Sequence, residues 1–355
     1  MSFVAYRLPR QKQFMLNRLH DEPETIGSLA ELNGRKGFVI APFVPSAECP
    51  ILLIPAEWKA ADSLPLRNID TEPTLLNDNG TEMRKHYHTD FKNFHSQLAD
   101  STFSKIVLAR SLKMKLSHTP DPLRIFRKAC EMYPRMFVAL FSTAISGTWL
   151  VATPEILLSG NRGDMSTMAL AGTMRLSGKQ LLFDTPYGNG LAETEIAWSE
   201  KNRQEQHYVE TYIKECIEHF ASDFSTIGPY TTRAGNLVHL RTDINFRLND
   251  TSRLGDLLNA LHPTPAVCGI PKHETQEFII ANESEPRLYY SGFSGPIDAD
   301  SDTHLYVSLR CMKAGQDETL LFAGGGLLKE SIEEHEWEET EAKMETMRNV
   351  LQPND

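Results

Sequence analysis

The chain has 355 residues, of which 41% are hydrophobic, so it can bury a sizeable core as one large domain or as two tightly packed halves. Its 36 basic and 47 acidic residues leave a net charge of −11, which disfavours nucleic acid or an anionic membrane surface as a partner. The five cysteines have no CxxC spacing, which indicates neither a disulfide framework nor a structural zinc site and fits a reducing compartment.

The N-terminal segment MSFVAYRLPRQKQF has no continuous apolar stretch of the signal-peptide type. No later stretch approaches the ~18 uncharged apolar residues that a membrane-spanning helix needs. We therefore expect a soluble, cytoplasmic protein that does not enter a membrane. An anionic small molecule can still bind such an acidic chain where local cations or a metal ion overcome its field.

Two apolar segments within residues 37–54, GFVIAPFV and CPILLIPA, predict paired strands at the edge of a sheet. Residues 61–83 are rich in Asp, Asn, Pro and Thr without a sustained period, which predicts a surface connection. We place a boundary there, with an N-terminal part over residues 1–83 and a larger part over residues 84–355. Both parts are expected to belong to one integrated domain.

From about residue 84, helical spacing leads to the strand KIVLARSLKMKL, and Asp-Pro then opens the helix DPLRIFRKACEMY. Four short segments, MFVALFS, TWLVAT, EILLSG and STMALA, predict an antiparallel meander. Helical spacing returns between residues 191 and 220. Three strands (RLYYSGFSGPI, HLYVSLRCMK and TLLFAGGGL) and a helix over about 329–351 complete the chain. Strands clustered between long helices predict an α+β fold with mainly antiparallel sheets.

The last helix carries glutamates in two different settings. Its apolar stripe, expected to face the core, consists of Trp337, Thr340, Met344, Met347 and Leu351. Far around the helix, and expected in solvent, lie Glu338, Glu341 and Glu345. A second strip, Glu336, Glu339 and Lys343, is centred only about 75° from the apolar stripe, at the border of burial. This strip predicts either a salt-bridge ladder or oxygen ligands for a hard cation such as Mg2+.

Nine short motifs, taken in order over residues 100–350, resemble those of the chorismate-utilising enzyme family. They are KIVLAR (105–110), ATPE (152–155), ALAGTMR (169–175), EKNRQEQH (200–207), LVHL (237–240), LHPTPAVCGIP (261–271), SLRC (308–311), FAGGG (322–326) and EWEETEAK (336–343). LHPTPAVCG together with FAGGG is especially typical of isochorismate synthases. The resemblance implies an α/β sandwich of two similar halves, with helices outside and the active site in a cleft. It makes residues 84–355 the chorismate-binding catalytic region and residues 1–83 a variable N-terminal part.

The resemblance implies an isomerase that adds water to chorismate at C2 while the C4 hydroxyl leaves. Lys105 matches the general base that activates the water, and Glu155 matches the general acid. The chemistry needs a lysine that is neutral part of the time, which burial or nearby cations can bring about, so Lys105 should be partly buried. Hydroxide is a poor leaving group, so a protonated carboxyl must assist its departure.

Further residues match the family's metal and substrate sites. Glu205 and Glu339 match the glutamates that coordinate Mg2+, with Glu336 as an auxiliary ligand, direct or through water. Arg310 and Lys343 match the cations that hold the substrate carboxylates. The remaining matched substrate-binding residues are Ala171, Gly172, Thr173, His239, Gly324 and Gly325. Glu200 and Glu210, on the same predicted helix as Glu205, are expected in solvent.

Three relatives compete on this scaffold. Aminodeoxychorismate synthases have a nucleophilic lysine where this chain has Ala171, and anthranilate synthases typically have glutamine where it has Lys105. Salicylate synthases share both Lys105 and Glu155 and then eliminate pyruvate, so they remain the alternative. We expect a monomer that needs no glutaminase partner. The product would feed menaquinone or siderophore synthesis, with a slight preference for menaquinone.

Overall fold

The computed structural model describes residues 2–61, 73–177, 180, 196–234, 237–316 and 318–352. Within these ranges the helices are α1 (Gly80–Ala99), α2 (Pro122–Met132), α3 (Glu200–Glu218), α4 (Leu254–Leu261), α5 (Lys272–Asn282) and α6 (Glu333–Leu351). In this part of the chain, every helix is too short or too polar to cross a membrane.

The strands, in chain order, are β1 (Phe3–Arg7), β2 (Phe14–Arg18), β3 (Glu24–Ile26), β4 (Lys36–Ala41), β5 (Ile51–Ile54), β6 (Lys59–Ala61), β7 (Leu75–Asp78), β8 (Lys105–Leu116), β9 (Phe137–Thr143), β10 (Gly147–Thr153), β11 (Ile156–Asn161), β12 (Asp164–Arg175), β13 (Phe224–Ala234), β14 (Leu237–Arg247), β15 (Gly269–Ile270), β16 (Phe293–Asp298), β17 (Asp302–Val307), β18 (Cys311–Ala314) and β19 (Glu318–Leu327).

These strands form two antiparallel sheets. The first has the order β15-β8-β19-β18-β10-β9-β1-β2-β6, with β7 also pairing with β8. The second has the order β13-β14-β12-β11-β17-β16-β4-β5-β3. Both sheets thus include strands from the first 61 residues. The predicted α+β class with mainly antiparallel sheets is confirmed.

The two sheets pack face to face with helices on the outside. Between the sheets, Phe137 of β9 stacks on Tyr306 of β17, with ring centroids 4.3 Å apart and planes 5° from parallel. Helices α2 and α6 bury apolar side chains against the first sheet, and α3 and α4 bury theirs against the second. Strand β8 is buried along its first eight residues and alternates only at its end, because α1 and the second sheet cover its two faces.

The chain crosses between the sheets at two linked places. Residues 154–155 connect β10 of the first sheet to β11 of the second, and residues 308–310 connect β17 of the second to β18 of the first. The crossings are joined by two backbone hydrogen bonds, in which the amide of Ala152 donates to Arg310 O (3.1 Å) and that of Val307 donates to Glu155 O (3.0 Å). The seam between the sheets therefore carries Glu155 and Arg310.

Several element predictions need correction. The meander is broken at its midpoint, because β10 and β11 lie in different sheets; Pro154 lacks the amide hydrogen that a continuing ladder would need. The segment HLYVSLRCMK is also divided by a crossing, into β17 of the second sheet and β18 of the first. The predicted connection over 61–83 contains β7 and the first turn of α1; its residues 62–72 lie outside the described ranges. Within the segment 191–220, where helical spacing was predicted, α3 covers Glu200–Glu218. Residues 191–195 of that segment lie outside the described ranges.

Candidate active site

A narrow cavity of about 60 Å3 lies at the seam where the two crossings meet. Its wall includes nine of the residues singled out from the sequence, namely Glu155, Ala171, Gly172, Thr173, Glu205, His239, Arg310, Gly324 and Lys343. These residues come from β12, α3, β14, β19, α6 and the two crossings. The structure therefore brings together groups that are up to 188 positions apart, Glu155 and Lys343, in one place.

Glu155 is buried beside this cavity, with 4% of its surface exposed. Burial raises the pKa of its carboxyl to about 7, against the opposing effect of Lys105, Lys343 and Arg310. A carboxyl with this pKa is protonated in a large fraction of molecules at neutral pH. It can therefore donate a proton, which is what a general acid requires.

Lys105 is the first residue of β8 and is fully buried, more deeply than the partial burial predicted from the sequence. Its Nζ lies 3.1 Å from Glu205 Oε1. Burial by itself would raise the pKa of Glu205, but Lys105, Lys201 and Lys343 outweigh it and hold that pKa below its usual value. The lysine is thus close to a carboxylate that stays charged.

The glycine run is part of strand β19 and makes room for these side chains. A Cβ at Gly326 would overlap the carboxylate of Glu205 and lie 2.9 Å from Lys105 Cε. A Cβ at Gly325 would lie 3.3 Å from Glu336 Oε2 and 3.7 Å from Glu339 Oε1. The run continues strand β19, as predicted for TLLFAGGGL, and its glycines allow the close approach of side chains.

Three carboxylates gather over this glycine strand, and each is paired with a lysine. Glu205 pairs with Lys105, Glu339 pairs with Lys343 (2.7 Å), and Glu336 pairs with Lys201. Burial and the neighbouring Glu339 raise the pKa of Glu336. A buried carboxylate and a partly buried one that repel each other in this way favour a bound cation.

The three carboxylates form a ligand set that suits Mg2+, although each of them pairs with a lysine in the structure. In the described ranges, no group of three acidic, histidine or cysteine side chains has the spacing of an ion site. Mg2+ usually takes only one or two protein carboxylates and fills its remaining positions with water or substrate oxygens. Glu336 and Glu339 lie within 3.7 Å of one point above Gly325, which meets that requirement.

Arg310 and His239 form a buried polar pair in the wall of the cavity. The Arg310 backbone adopts a left-handed conformation (φ 46°), which is uncommon for a residue other than glycine and frequent at functional sites. Its Nη2 donates to His239 Nε2 at 2.9 Å, so His239 Nδ1 carries the proton and donates to Gly172 O at 3.1 Å. Burial, Arg310 and Lys343 lower the pKa of His239 well below its usual value, which keeps the ring neutral.

Lys343 of α6 also lines the cavity, next to the glycine strand. Its Nζ donates to Gly324 O at 2.8 Å and to Glu339 Oε1 at 2.7 Å. Arg310 Nη1 contacts Thr346 Oγ1, one turn along the same helix, at 3.3 Å. Burial lowers the pKa of Arg310 to about 10, which still leaves it charged at neutral pH. Both cations can therefore hold anionic groups of a ligand.

A bulge in β12 shapes the wall facing Glu205. The pairing of β12 with β14 shifts between Ala171 and Thr173, and Gly172 adopts φ 68° there. The amide of Gly172 consequently donates to Glu205 Oε2 at 3.2 Å. The amide of Ala171 donates to Gln206 Oε1 at 2.9 Å, which fixes the bulge to α3. Thr173 Oγ1 lies 3.3 Å from His239 Nδ1.

Sequence reasoning missed some residues of the site and misplaced others. The missed residues are Lys201, Gln206, Tyr290 and Gly326; all but Tyr290 lie within quoted motifs, but no site role was assigned to them. Among the residues expected in solvent, Glu210 accepts a hydrogen bond from Thr242 Oγ1 at 2.9 Å, and Glu341 pairs with Arg110 and Arg348. These predictions were wrong: Thr242 of β14 and Arg110 of β8 lie against those faces of α3 and α6, so Glu210 and Glu341 are partly buried.

A wider cleft of about 460 Å3 shares Pro154 and Arg310 with the narrow cavity. Its wall includes Arg135, Arg233 and Glu345. Pockets for small ligands usually have volumes of ~300–1,000 Å3, so the narrow cavity alone is smaller than a typical ligand site. The cleft alone lies within that range, and Arg310 lines both the cleft and the narrow cavity.

Comparisons with known proteins agree on one family. Residues 44–352 match the model of the chorismate binding enzyme family. The chain is 30% identical over 248 residues to isochorismate synthase EntC of Escherichia coli strain K12, covering 70% of this chain and 62% of EntC. It is 31% identical over 277 residues to isochorismate synthase DhbC of Bacillus subtilis strain 168, covering 74% and 67%. The chain thus spans less than two thirds of the length of EntC.

A solved structure shows the same fold. MenF, the menaquinone-specific isochorismate synthase of Escherichia coli, matches with a TM-score of 0.82 and 19% identity, over 99% of this chain and 89% of MenF. The fold predicted from the nine motifs is therefore confirmed, as is the family resemblance itself. Because the family model matches residues 44–352, most of this chain, the chain belongs to the chorismate-binding enzyme family.

Proposed function

We propose that this protein is an isochorismate synthase, an isomerase that converts chorismate to isochorismate with Mg2+ as cofactor. The observation that carries the proposal is a pair of buried groups: Lys105, which has no exposed surface and pairs with Glu205 of the cavity wall, and Glu155 of the same wall, whose pKa is about 7. An amine and a protonated carboxyl, both withdrawn from bulk water, supply the base and the acid that the reaction needs. Similarity to EntC and DhbC supports the same reaction.

In the proposed mechanism, Lys105 takes a proton from the water that attacks C2. Glu155 gives a proton to the C4 oxygen as its bond to carbon breaks, because hydroxide would otherwise be a poor leaving group. The ring double bonds shift between the two carbons. The Glu205 carboxylate, 3.1 Å from Lys105, stabilises the lysine once it has taken the proton.

Arg310 and Lys343 bind the substrate carboxylates in this proposal, Arg310 with its planar fork and Lys343 as a point charge. His239 fixes Arg310 through the 2.9 Å hydrogen bond to Nη2. When bound, Mg2+ would be held by Glu205 and Glu339, with Glu336 direct or through water, and would supply positive charge for the C1 carboxylate. The walls formed by Ala171, Gly172 and Thr173 and by Gly324 and Gly325 contact the substrate.

The identity of two residues supports water as the nucleophile. Ala171 offers no side-chain amine for covalent attack, and Lys105 supplies a base that an ammonia-using enzyme does not need. No glutaminase partner is then required, and we propose a monomer acting in the cytoplasm. Salicylate synthase remains the alternative, since the same Lys105 and Glu155 would serve its first step.

Product analysis of the purified protein with chorismate and Mg2+ tests this proposal. We expect isochorismate as the initial product, without pyruvate. Stoichiometric salicylate and pyruvate from the first turnovers would identify a salicylate synthase. Anthranilate formed with ammonia would refute the proposed reaction.

Removal of the metal tests the cofactor separately. EDTA should abolish turnover, and excess Mg2+ should restore it.

Glu339→Gln keeps the shape of the side chain but removes one ligand charge, so Mg2+ affinity measured by calorimetry should fall about tenfold or more. Unchanged Mg2+ affinity in this variant would count against Glu339 as a ligand. Glu338→Gln, at an exposed position next to it, is the matched control.

A further inference from the structure

Lys201 lies at the three carboxylates yet has no part in the proposed chemistry. Its ammonium pairs with Glu336, a carboxylate whose side chain is only 2% exposed. The ammonium is thus paired directly with one of the carboxylates that we assign to Mg2+, and a second, Glu339, lies close to the same point above Gly325.

The position of Lys201 in α3 has no other evident benefit. It is the second residue of the helix, after the cap Ser199, where the helix dipole disfavours a positive charge. The two other lysines of the cluster are committed elsewhere, Lys105 to a fully buried position and Lys343 to Gly324 O. Lys201 is the most exposed of the three, at 24% of its side chain, so its long side chain can swing towards solvent.

We propose that Lys201 is the resident counterion of the carboxylate cluster, an ammonium that neutralises it in the metal-free protein and that Mg2+ displaces on binding. The inference rests on the proposed metal site. It gives Lys201 two opposite effects, because the ammonium stabilises the metal-free protein and competes with Mg2+ for the same oxygens. A lysine that merely supported the fold would strengthen both the metal-free and the metal-bound state.

The test compares Lys201→Met with the wild type, after EDTA treatment and dialysis, by calorimetric titration with Mg2+ alone and by thermal melting. We expect Lys201→Met to bind Mg2+ about tenfold more tightly, because a competing positive charge is gone. Its metal-free Tm should be lower than that of the wild type, and its Tm increase on adding Mg2+ should be larger. Lys201→Arg, which keeps the charge, should restore wild-type behaviour.

Lys214→Met is the matched control, since Lys214 lies on the same helix, is 29% exposed and pairs with Glu210, away from the cluster. It should leave Mg2+ affinity unchanged. If Lys201→Met does not fold, Lys201→Gln removes the charge while keeping a polar side chain. Equal or weaker Mg2+ binding in the neutral variant would overturn this inference alone. If neither the wild type nor the variant bound Mg2+, the metal site itself would be refuted, and this inference with it.

Discussion

At the level of single residues, Glu155 offers the most direct pH test of the site. Its carboxyl must be protonated to act as an acid, and burial raises its pKa to about 7. The value of kcat/KM should therefore fall as the pH rises through about 7, since the fraction of protonated Glu155 decreases there. Glu155→Gln should lose this alkaline decline and lower kcat about 100-fold or more, the usual cost of removing a general acid. A decline that persists in the Gln variant would assign it to another group.

Lys105 carries the difference between water addition and the other reactions of the family. Lys105→Ala should lower kcat about 100-fold or more, as expected for loss of a general base, while chorismate binding through Arg310 and Lys343 persists. Kinetics at saturating chorismate, together with circular dichroism, would separate chemistry from folding. Lys105→Gln is a gentler second variant, and Lys115→Ala, at an exposed position of the same strand, is the control. Near-normal turnover in folded Lys105→Ala would contradict the assignment.

At the level of elements, strand β19 is shaped by what must pass beside it. A methyl group at Gly326 would overlap Glu205 and press on Lys105 Cε at 2.9 Å, whereas one at Gly325 would meet its nearest atom at 3.3 Å. Gly326→Ala should therefore displace both side chains, lowering kcat at least about tenfold and destabilising the fold by about 1–3 kcal/mol. Gly325→Ala should have a smaller effect on both measurements. Equal effects of the two substitutions would show that close approach is not the reason for the glycines.

Some elements of the site could be predicted from the sequence because their signals are local. The buried strand that begins at Lys105 and the border strip of α6, Glu336, Glu339 and Lys343, follow from hydrophobic periodicity. The two crossings could not be predicted, since the apolar alternation looks the same on either side of Pro154 and of Arg310. Lys201 was missed for a different reason: it lies within the motif EKNRQEQH, but its partner Glu336 is 135 positions away, so the motif does not indicate their ion pair.

At the level of the whole molecule, the site depends on how the two sheets are held together. Lys105 and Gly326 belong to the first sheet and His239 to the second, and the acid Glu155 lies on the crossing between them. A small shift of one sheet against the other would change all the distances across the cavity. The core between the sheets thus supports both the fold and the alignment of the proposed base and acid.

Phe137 tests this dependence, because it is fully buried in the core between the sheets and stacks on Tyr306 at 4.3 Å. Phe137→Ala should lower the free energy of unfolding by about 3–5 kcal/mol, the usual cost of emptying a buried aromatic position. Ile227→Ala, at a position 53% exposed on β13, should change it by less than about 0.5 kcal/mol. Denaturant titration measures both values, and turnover of chorismate by the remaining folded Phe137→Ala protein should fall as well, since the two walls of the cavity lose their common support. Full turnover in a strongly destabilised variant would mean that the seam is aligned by the crossings at Glu155 and Arg310 alone.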